Sequence, residues 1–515
     1  MALGRFISGI ACGVIATTAQ AAAPAVETSG KPIPLTAPYD PLSAEVQKEA
    51  LAWVTKNAHP LDVPADDPCS KPLLDPATLK PMADALAKPR VIGIGELSHG
   101  DCESFAFKAS LIRALVMYEG VTLIGMEATI EGGRQLDAFI APGQPVLTGE
   151  ALVTATDKAL LAANIFNLWK TPALRDLLVW LRVHNQTAAM PVRFANFDVQ
   201  SPFADSQFAV RFLTNALAGP AYRTVRYDAI RQKLAGIAKT LSPLLTVPTT
   251  SDRFEGYLVK QKRADFEAHR AAADQLFQLF TVAPAAIKQM PDFWIAEQSA
   301  FAFSNWMEAS ISRVEQSNEE ILADLRDGTP PVSLFSVRDR GMAGSVLRIL
   351  RHHPTSKMAL WAHNRHVGRS GFQYADVKAL SMGQNLSATL DDNYVVVSFT
   401  AYQGNYHPSV IVDEKGKATP ADTFPLPPNP YTLGAFFEKL DRQQFWLDMR
   451  KLPNSVPWEL AWRNYPYVLQ EGGYGPTKAE IHSANIVPIG FDTDITVFFN
   501  TVHPTVWLVP PKATP

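Results

Sequence analysis

The chain predicts an α/β protein: a mostly parallel sheet flanked by helices, with a large helical insertion forming one wall of a cleft. Three observations carry this. Short apolar runs alternate with segments of helical period along residues 38–205 and 327–510. Four of those runs close on an acid or a histidine: Glu96 with His99, Glu127, Asp198, and His363 with His366. Between the two parts, residues 206–326 lose the alternation and keep apolar spacing near 3.6.

Residues 1–21 read as a secretory signal peptide. Arg5 precedes an apolar run from Phe6 to Ala16, and Ala19 and Ala21 supply small residues before the cut. That run is too short to span a bilayer. Cys12 makes a poor lipoprotein site, because Gly9-Ile10-Ala11 precede it and the apolar run continues past it. Residues 22–37, rich in Ala, Pro and Gly, read as a flexible lead. No later stretch has the pattern of a membrane span. The mature chain is therefore expected to be exported, to a periplasmic or extracellular location. Of its 3 cysteines, Cys69 and Cys102 survive cleavage. An oxidising compartment favours a disulfide between them, while spacing alone equally allows two separate thiols.

The first α/β part opens with a helix over 41–58, carrying Val46, Ala50 and Val54 on one face. A shorter helix follows over 76–87. The central strand begins at Arg90 with Val91, Ile92 and Ile94, a run suited to burial on both faces. Glu96, Ser98, His99, Gly100 and Glu103 come directly after it. A helix over 104–119 presents Phe105, Ala109, Ile112 and Val116, and Gly120 stops it. The next apolar run, 121–126, ends in Glu127. Strand, helix and strand in so few residues imply a parallel pair with a right-handed crossover. Glu96, His99 and Glu127 then share one edge of the sheet.

A helix over 172–185 leads to a strand over 192–197 that ends at Asp198. In the insertion, Phe293, Trp294, Phe301, Phe303 and Trp306 are expected to be core. The second α/β part supplies an apolar run at 357–362 before His363, Asn364, Arg365 and His366. Further strands are expected at 394–400, 445–448 and 486–499. In open α/β sheets, ligands sit outside the carboxyl ends of the strands. Four polar strand ends thus argue for one shared crevice.

The net charge of −3 and the lack of a Lys/Arg run argue against a nucleic-acid partner. There is no G-x-S-x-G elbow and no P-loop motif. Gly93-x-Gly95 begins like a dinucleotide fingerprint. However, Ser98 stands where the third glycine belongs, and Glu96 would face the pyrophosphate. The His and Glu pairs admit two chemistries. One is a metal site, for which ligand types alone do not fix the ion. The other needs no cofactor: an imidazole takes a proton from water, a carboxylate fixes its tautomer, and neighbouring donors stabilise an oxyanion.

Several motifs resemble one known family. They are G-I-G-E-L-S-H-G-x-x-E at 93–103 with Phe105 and Lys108 after it, G-M-E-A at 125–128, and L-L-x-W-L-R-x-x-N at 177–185. W-A-H-N-x-H-V at 361–367, S-M-G at 381–383 and G-F-D at 490–492 follow in order. Together they resemble the erythromycin esterase family over about residues 76–499. Ser98 stands where that family usually has Thr, and Asp101-Cys102 fall at a variable pair. The resemblance implies hydrolysis of an ester or lactone, macrolide-type or related, by histidine-activated water without a covalent intermediate. It assigns His99 as general base, with Glu96 and Glu127 orienting and polarising it. His363 and His366 complete the site, with Lys108 as the nearby cation. Asp198, Arg338 and Asn364 come over as support or substrate contacts. The partner implied is a small-molecule ester or lactone. Two alternatives stay open: a metal-dependent hydrolase using the same cluster, and a binding homologue that has lost turnover.

Overall fold

The computed structural model describes residues 40–61, 74–200, 202–246, 261–315, 319, 334–370, 372–374, 377–407, 411–412, 418–419, 423–440, 442–453, 456–469 and 485–508. The expected signal peptide, the lead and Cys69 lie outside the described residues.

Among the described residues the main sheet has nine strands. In chain order they are β1 (His59–Pro60), β2 (Val91–Ile94), β3 (Val121–Met126), β4 (Arg193–Phe194), β5 (Lys357–Trp361), β6 (Tyr394–Tyr406), β7 (Phe424–Leu426), β8 (Gln444–Asp448) and β9 (Ile495–Val502). Their spatial order is β1-β8-β9-β6-β2-β5-β3-β4, with β7 beside β6. The run from β9 to β4 is parallel throughout. The pairings of β1, β7 and β8 are antiparallel.

The order corrects one expectation. β2 and β3 are parallel but not neighbours, because β5 lies between them. A strand–helix–strand link fixes direction, not adjacency. Met358, Ala359, Leu360 and Trp361 of β5 are all buried, so a slot covered on both faces suits this strand better than an edge. In register, Trp361 faces Ile94 on one side and Met126 on the other. The residues just beyond these strands therefore emerge at one level.

Two other strands differ from expectation. The segment 486–499 is not one strand. Asn485–Pro488 pairs with Pro466–Leu469 as a separate ribbon, a turn follows at Ile489–Asp492, and only then does β9 begin. Gly490 lies in that turn, where a Cβ would lie 1.7 Å from the Arg463 side chain. β4 is two residues long, although the amides of Ala195, Phe197 and Asp198 still donate to carbonyls of 124, 126 and 128.

Ten helices matter to the site: α1 (Cys102–Glu119), α2 (Ile130–Ile140), α3 (Pro172–His184), α4 (Phe203–Leu217), α5 (Asp228–Leu245), α6 (Arg263–Thr281), α7 (Phe293–Ala309), α8 (Leu334–His352), α9 (Asn364–Val367) and α10 (Met382–Leu390). α1 starts where Asp101 accepts the Ser104 amide and ends on Gly120 at φ +67°. α1 and α3 pack on one face of the sheet through residues such as Phe105, Leu111, Leu174 and Leu178. α8 and α10 cover the other face with Met342, Val346 and Leu386. α4 to α7 form a helical layer with a core of their own, containing Phe203, Leu276, Phe293, Phe303 and Trp306. Asp205, fully buried in α4, fastens this layer to α2 by accepting the Glu131 amide at 2.6 Å, and ties α4 to α7 by accepting the Ser299 hydroxyl at 3.2 Å. No helix among the described residues is long and apolar enough to cross a membrane.

Candidate active site

β2 delivers Glu96 and His99 through a tight turn. Gly95 is required beside Asn364, since a Cβ there would lie 2.1 Å from the Asn364 Oδ1. Asn364 itself does not join the polar cluster through its amide. Its Nδ2 donates to the Phe399 carbonyl at 2.8 Å and its Oδ1 accepts the Phe399 amide at 3.1 Å, so it clamps α9 to β6. The turn is held from inside as well. Asp101 accepts the amides of Ser98 at 3.0 Å and Ser104 at 2.8 Å, and Ser98 Oγ accepts the Gly100 amide at 3.1 Å. The Asp101 carboxyl is pushed up to about 7 by burial and by the neighbouring Glu103.

Glu96 is fully buried and has two partners. Its Oε1 lies 2.6 Å from His99 Nδ1, and its Oε2 takes a short hydrogen bond from Lys108 Nζ. The carboxylate accepts from both, so Nδ1 carries the ring proton and Nε2 the lone pair. Lys108 is buried too. Its ammonium lies 4.5 Å from the centre of the Trp361 ring and 5.6 Å from those of Phe105 and Trp169. Burial pulls its pKa down to about 8, against the pull of Glu96 in the other direction. His99 is only 3% exposed. Trp169 meets it edge-on at 5.3 Å, and the His363 ring lies 4.8 Å away.

β5 delivers His363, which caps α9: its Nδ1 accepts the Arg365 amide at 3.3 Å. That bond leaves the ring proton on Nε2. Burial, then the neighbouring His99 and Arg365, hold its pKa well below the usual imidazole range. His363 is therefore a neutral donor beside His99.

β3 delivers Glu127, which anchors a second network. Its Oε1 accepts from Arg338 at 2.7 Å and lies 3.1 Å from His366 Nε2, and its Oε2 accepts the His363 amide at 3.1 Å. Burial alone would raise this carboxyl, but His366, Arg338 and His99 outweigh it and hold it well below the carboxylate range. Arg338, on α8, also forks onto Asp198 at 3.0 and 2.8 Å. His366 Nδ1 sits 3.0 Å from both oxygens of Asp339. Arg338 Nη1 is 3.1 Å from His366 Nε2, a contact that would need that nitrogen unprotonated. The two carboxylates decide otherwise. Burial lowers the ring, but Asp339 and Glu127 raise it to about 9, so it is an imidazolium at neutral pH.

This carries a linkage consequence. The folded-state pKa of about 9 exceeds the ordinary 6.5. Its contribution to stability is full below about pH 6.5 and is lost as pH rises through about 9, on the order of a few kcal/mol at most. Denaturation midpoints are expected to fall across that window, and His366→Asn to flatten the fall. An unchanged slope in the variant would contradict the assignment.

The structure thus brings Glu96, His99, Lys108, Glu127, Asp198, Arg338, His363 and His366 into one buried assembly, with Asn364 behind it as a backbone clamp. Sequence reasoning missed Asp339 and Trp169. Asp339 did carry a signal: it falls on the helical stripe shared with Met342, Ala343 and Val346, all buried, so a carboxylate occupied a core position. Trp169 donates from Nε1 to the Glu127 carbonyl at 2.8 Å; nothing local in its sequence announces that. Cys102 is disulfide-bonded, while its expected partner Cys69 lies outside the described residues. Among the described residues, no three His, Cys, Asp or Glu side chains group as a metal would require. A cavity of about 590 Å³ in the helical layer is bordered by Phe208, Arg211, Phe212 and Tyr222, and no residue of the polar assembly lines it.

A parallel sheet that gathers three imidazoles, two glutamates and two cations at its carboxyl edge defines an α/β protein equipped for proton transfer. The erythromycin esterase family model matches residues 116–496, and the chain belongs to that family. Membership supports a hydrolase. The erythromycin esterase type I of Escherichia coli is 24% identical over 351 residues, covering 66% of this chain and 74% of that protein. A crystal structure of a Bacillus cereus protein shares the fold at a TM-score of 0.68 and 19% identity, over 91% of this chain and 99% of that one. A mutant of the erythromycin esterase EreC, in its open conformation, aligns at a TM-score of 0.57 and 16% identity, over 83% of this chain and 95% of that one. The family match begins after Glu96, His99 and Lys108, so these three are placed by geometry.

Proposed function

We propose that the protein hydrolyses a carboxylic ester or lactone, macrolide-type or related, with water as the nucleophile and no covalent intermediate. One observation carries this: Glu96 Oε1 lies 2.6 Å from His99 Nδ1, which leaves Nε2 as the base, beside the neutral His363. His99 takes a proton from water as the oxygen attacks the carbonyl carbon. His363 Nε2–H donates to the oxyanion that forms. The tetrahedral species collapses, the C–O bond breaks, and His99 returns its proton to the leaving alkoxide. Lys108 and Glu127 hold the charge of this assembly in place. The small-molecule substrate approaches at the carboxyl ends of the strands, where α/β sheets bind ligands.

The test is a panel of macrolides and simpler esters, incubated with purified protein and read by mass as the gain of one water. Hydrolysis of at least one compound, unaffected by chelator, is expected. Full loss with chelator and recovery with one divalent ion would replace this reading with metal-dependent hydrolysis by the same residues. Binding without turnover across the panel would favour a non-catalytic homologue. Export is part of the proposal, on the pattern of residues 1–21. Natively produced protein should begin near Ala22, and an intact Met1 or Ala2 end would reject it.

A further inference from the structure

Glu103 closes the motif that opens the site, yet the chemistry above gives it no task. It is 3% exposed, and a buried carboxylate is costly unless it is paired. Its partner comes from the far end of the chain. Oε2 accepts the His503 amide at 2.8 Å, and Oε1 lies 2.5 Å from His503 Nδ1. The backbone beside it is stitched to the same segment. Asp101 and Pro504 form an antiparallel bridge, and Cys102 N–H donates to the His503 carbonyl at 2.9 Å. Thr505 N–H donates to the Gly100 carbonyl at 2.8 Å. That carbonyl, one residue after His99, also accepts the His407 amide at 3.0 Å.

The segment then continues to the other wall of the site. Trp507 packs on the His407 ring at 5.1 Å, and Leu508 N–H donates to the Lys170 carbonyl at 2.8 Å. Lys170 follows Trp169, the residue that meets His99 edge-on and donates to the Glu127 carbonyl. One short segment thus fastens the turn that carries His99 and the turn that carries Trp169. Packing holds Thr505 and Leu508, but the His503 end is open: Val506 is 57% exposed and nearly half of the His503 side chain faces solvent. At that end its grip depends on the polar contacts with Glu103 and the 100–102 backbone.

We propose that residues 503–508 are a strap that positions His99 and Trp169, and that Glu103 is the latch that fastens it. Glu103 is then a positioning residue for turnover, and this rests on His99 being the base. A general base must stay within hydrogen-bond reach of its water, and displacements near 1 Å reduce rate steeply.

The test uses the full-length protein carrying Glu103→Ala, Glu103→Gln or His503→Ala. In Glu103→Ala, kcat on an ester turned over by wild type should fall by about tenfold to a hundredfold with KM little changed. Glu103→Gln should recover most of that loss, because its amide oxygen can take the place of Oε2 and accept the His503 amide. His503→Ala keeps that amide and should fall between. Hydrogen exchange supplies a readout that needs no substrate: in Glu103→Ala, peptides covering 96–103 and 503–508 should exchange faster while the rest of the sheet is unchanged. Wild-type kcat in Glu103→Ala, or loss of protection spread over the whole chain, would overturn the strap. If wild type hydrolyses nothing on the panel, the hydrolytic reading fails, and the exchange experiment alone still decides whether Glu103 latches the strap.

Discussion

Arg338→Met is expected to destabilise the fold by about 3–5 kcal/mol, the range for a buried ion pair that loses one partner. The guanidinium is 2% exposed and donates to both oxygens of Asp198 and to Glu127. Methionine fills similar volume, so the loss is one of charge and hydrogen bonds. Two buried carboxylates would be stranded: Asp198 would keep the Gln200 amide, and Glu127 the His363 amide and His366. Arg338→Lys should recover part of the stability but not the fork onto Asp198, because an ammonium cannot present two parallel donors. Urea denaturation at neutral pH measures this. The deficit should shrink in acid, where the stranded carboxylates are protonated in both states. A shift below about 0.5 kcal/mol, the usual size for an unremarkable surface change, would mean that the hub is not what holds this edge of the sheet together.

Much of the site was legible because strand ends are local features. A short apolar run buried on both faces, followed at once by a Glu or His, can be read in the sequence, and the four such runs do converge. What was not legible is what depends on distant partners. The slot between β2 and β3 is filled by β5, more than two hundred residues later, and no local pattern specifies that neighbour. Asn364 sits inside a recognisable motif, yet only the structure shows its amide spent on Phe399. His99 was expected directly after the central strand, at the edge of the sheet. It is also nearly enclosed, because Trp169 from a different turn closes over it. Glu103 was visible in the motif, but its meaning depended on His503, four hundred residues away. The expected strand at 486–499 is two strands, because the stretch that follows Pro488, Ile489 to Asp494 with its glycine and two aspartates, is a turn and not part of an apolar run.

The other large effect is on turnover. In His99→Asn the rate of ester hydrolysis is expected to drop at least about a hundredfold, the lower bound for a lost general base. Asparagine can still hydrogen-bond to Glu96, so the carboxylate and Lys108 keep a partner, but its amide has no lone pair of useful basicity to offer water. Because His99 packs against Trp169 and His363, a modest stability cost of about 1 kcal/mol accompanies the change, small enough to leave the protein folded at room temperature. His363→Ala should also slow turnover by removing the neutral donor, and Glu96→Gln should follow by loosening the His99 tautomer. Steady-state kinetics of wild type and His99→Asn, on whichever ester the wild type hydrolyses and with circular dichroism confirming both folds, test the central claim most directly. The account predicts a kcat/KM at least a hundredfold lower in the folded variant; a folded variant that hydrolyses at near wild-type rate would contradict it and move the role of base to another histidine of the cluster.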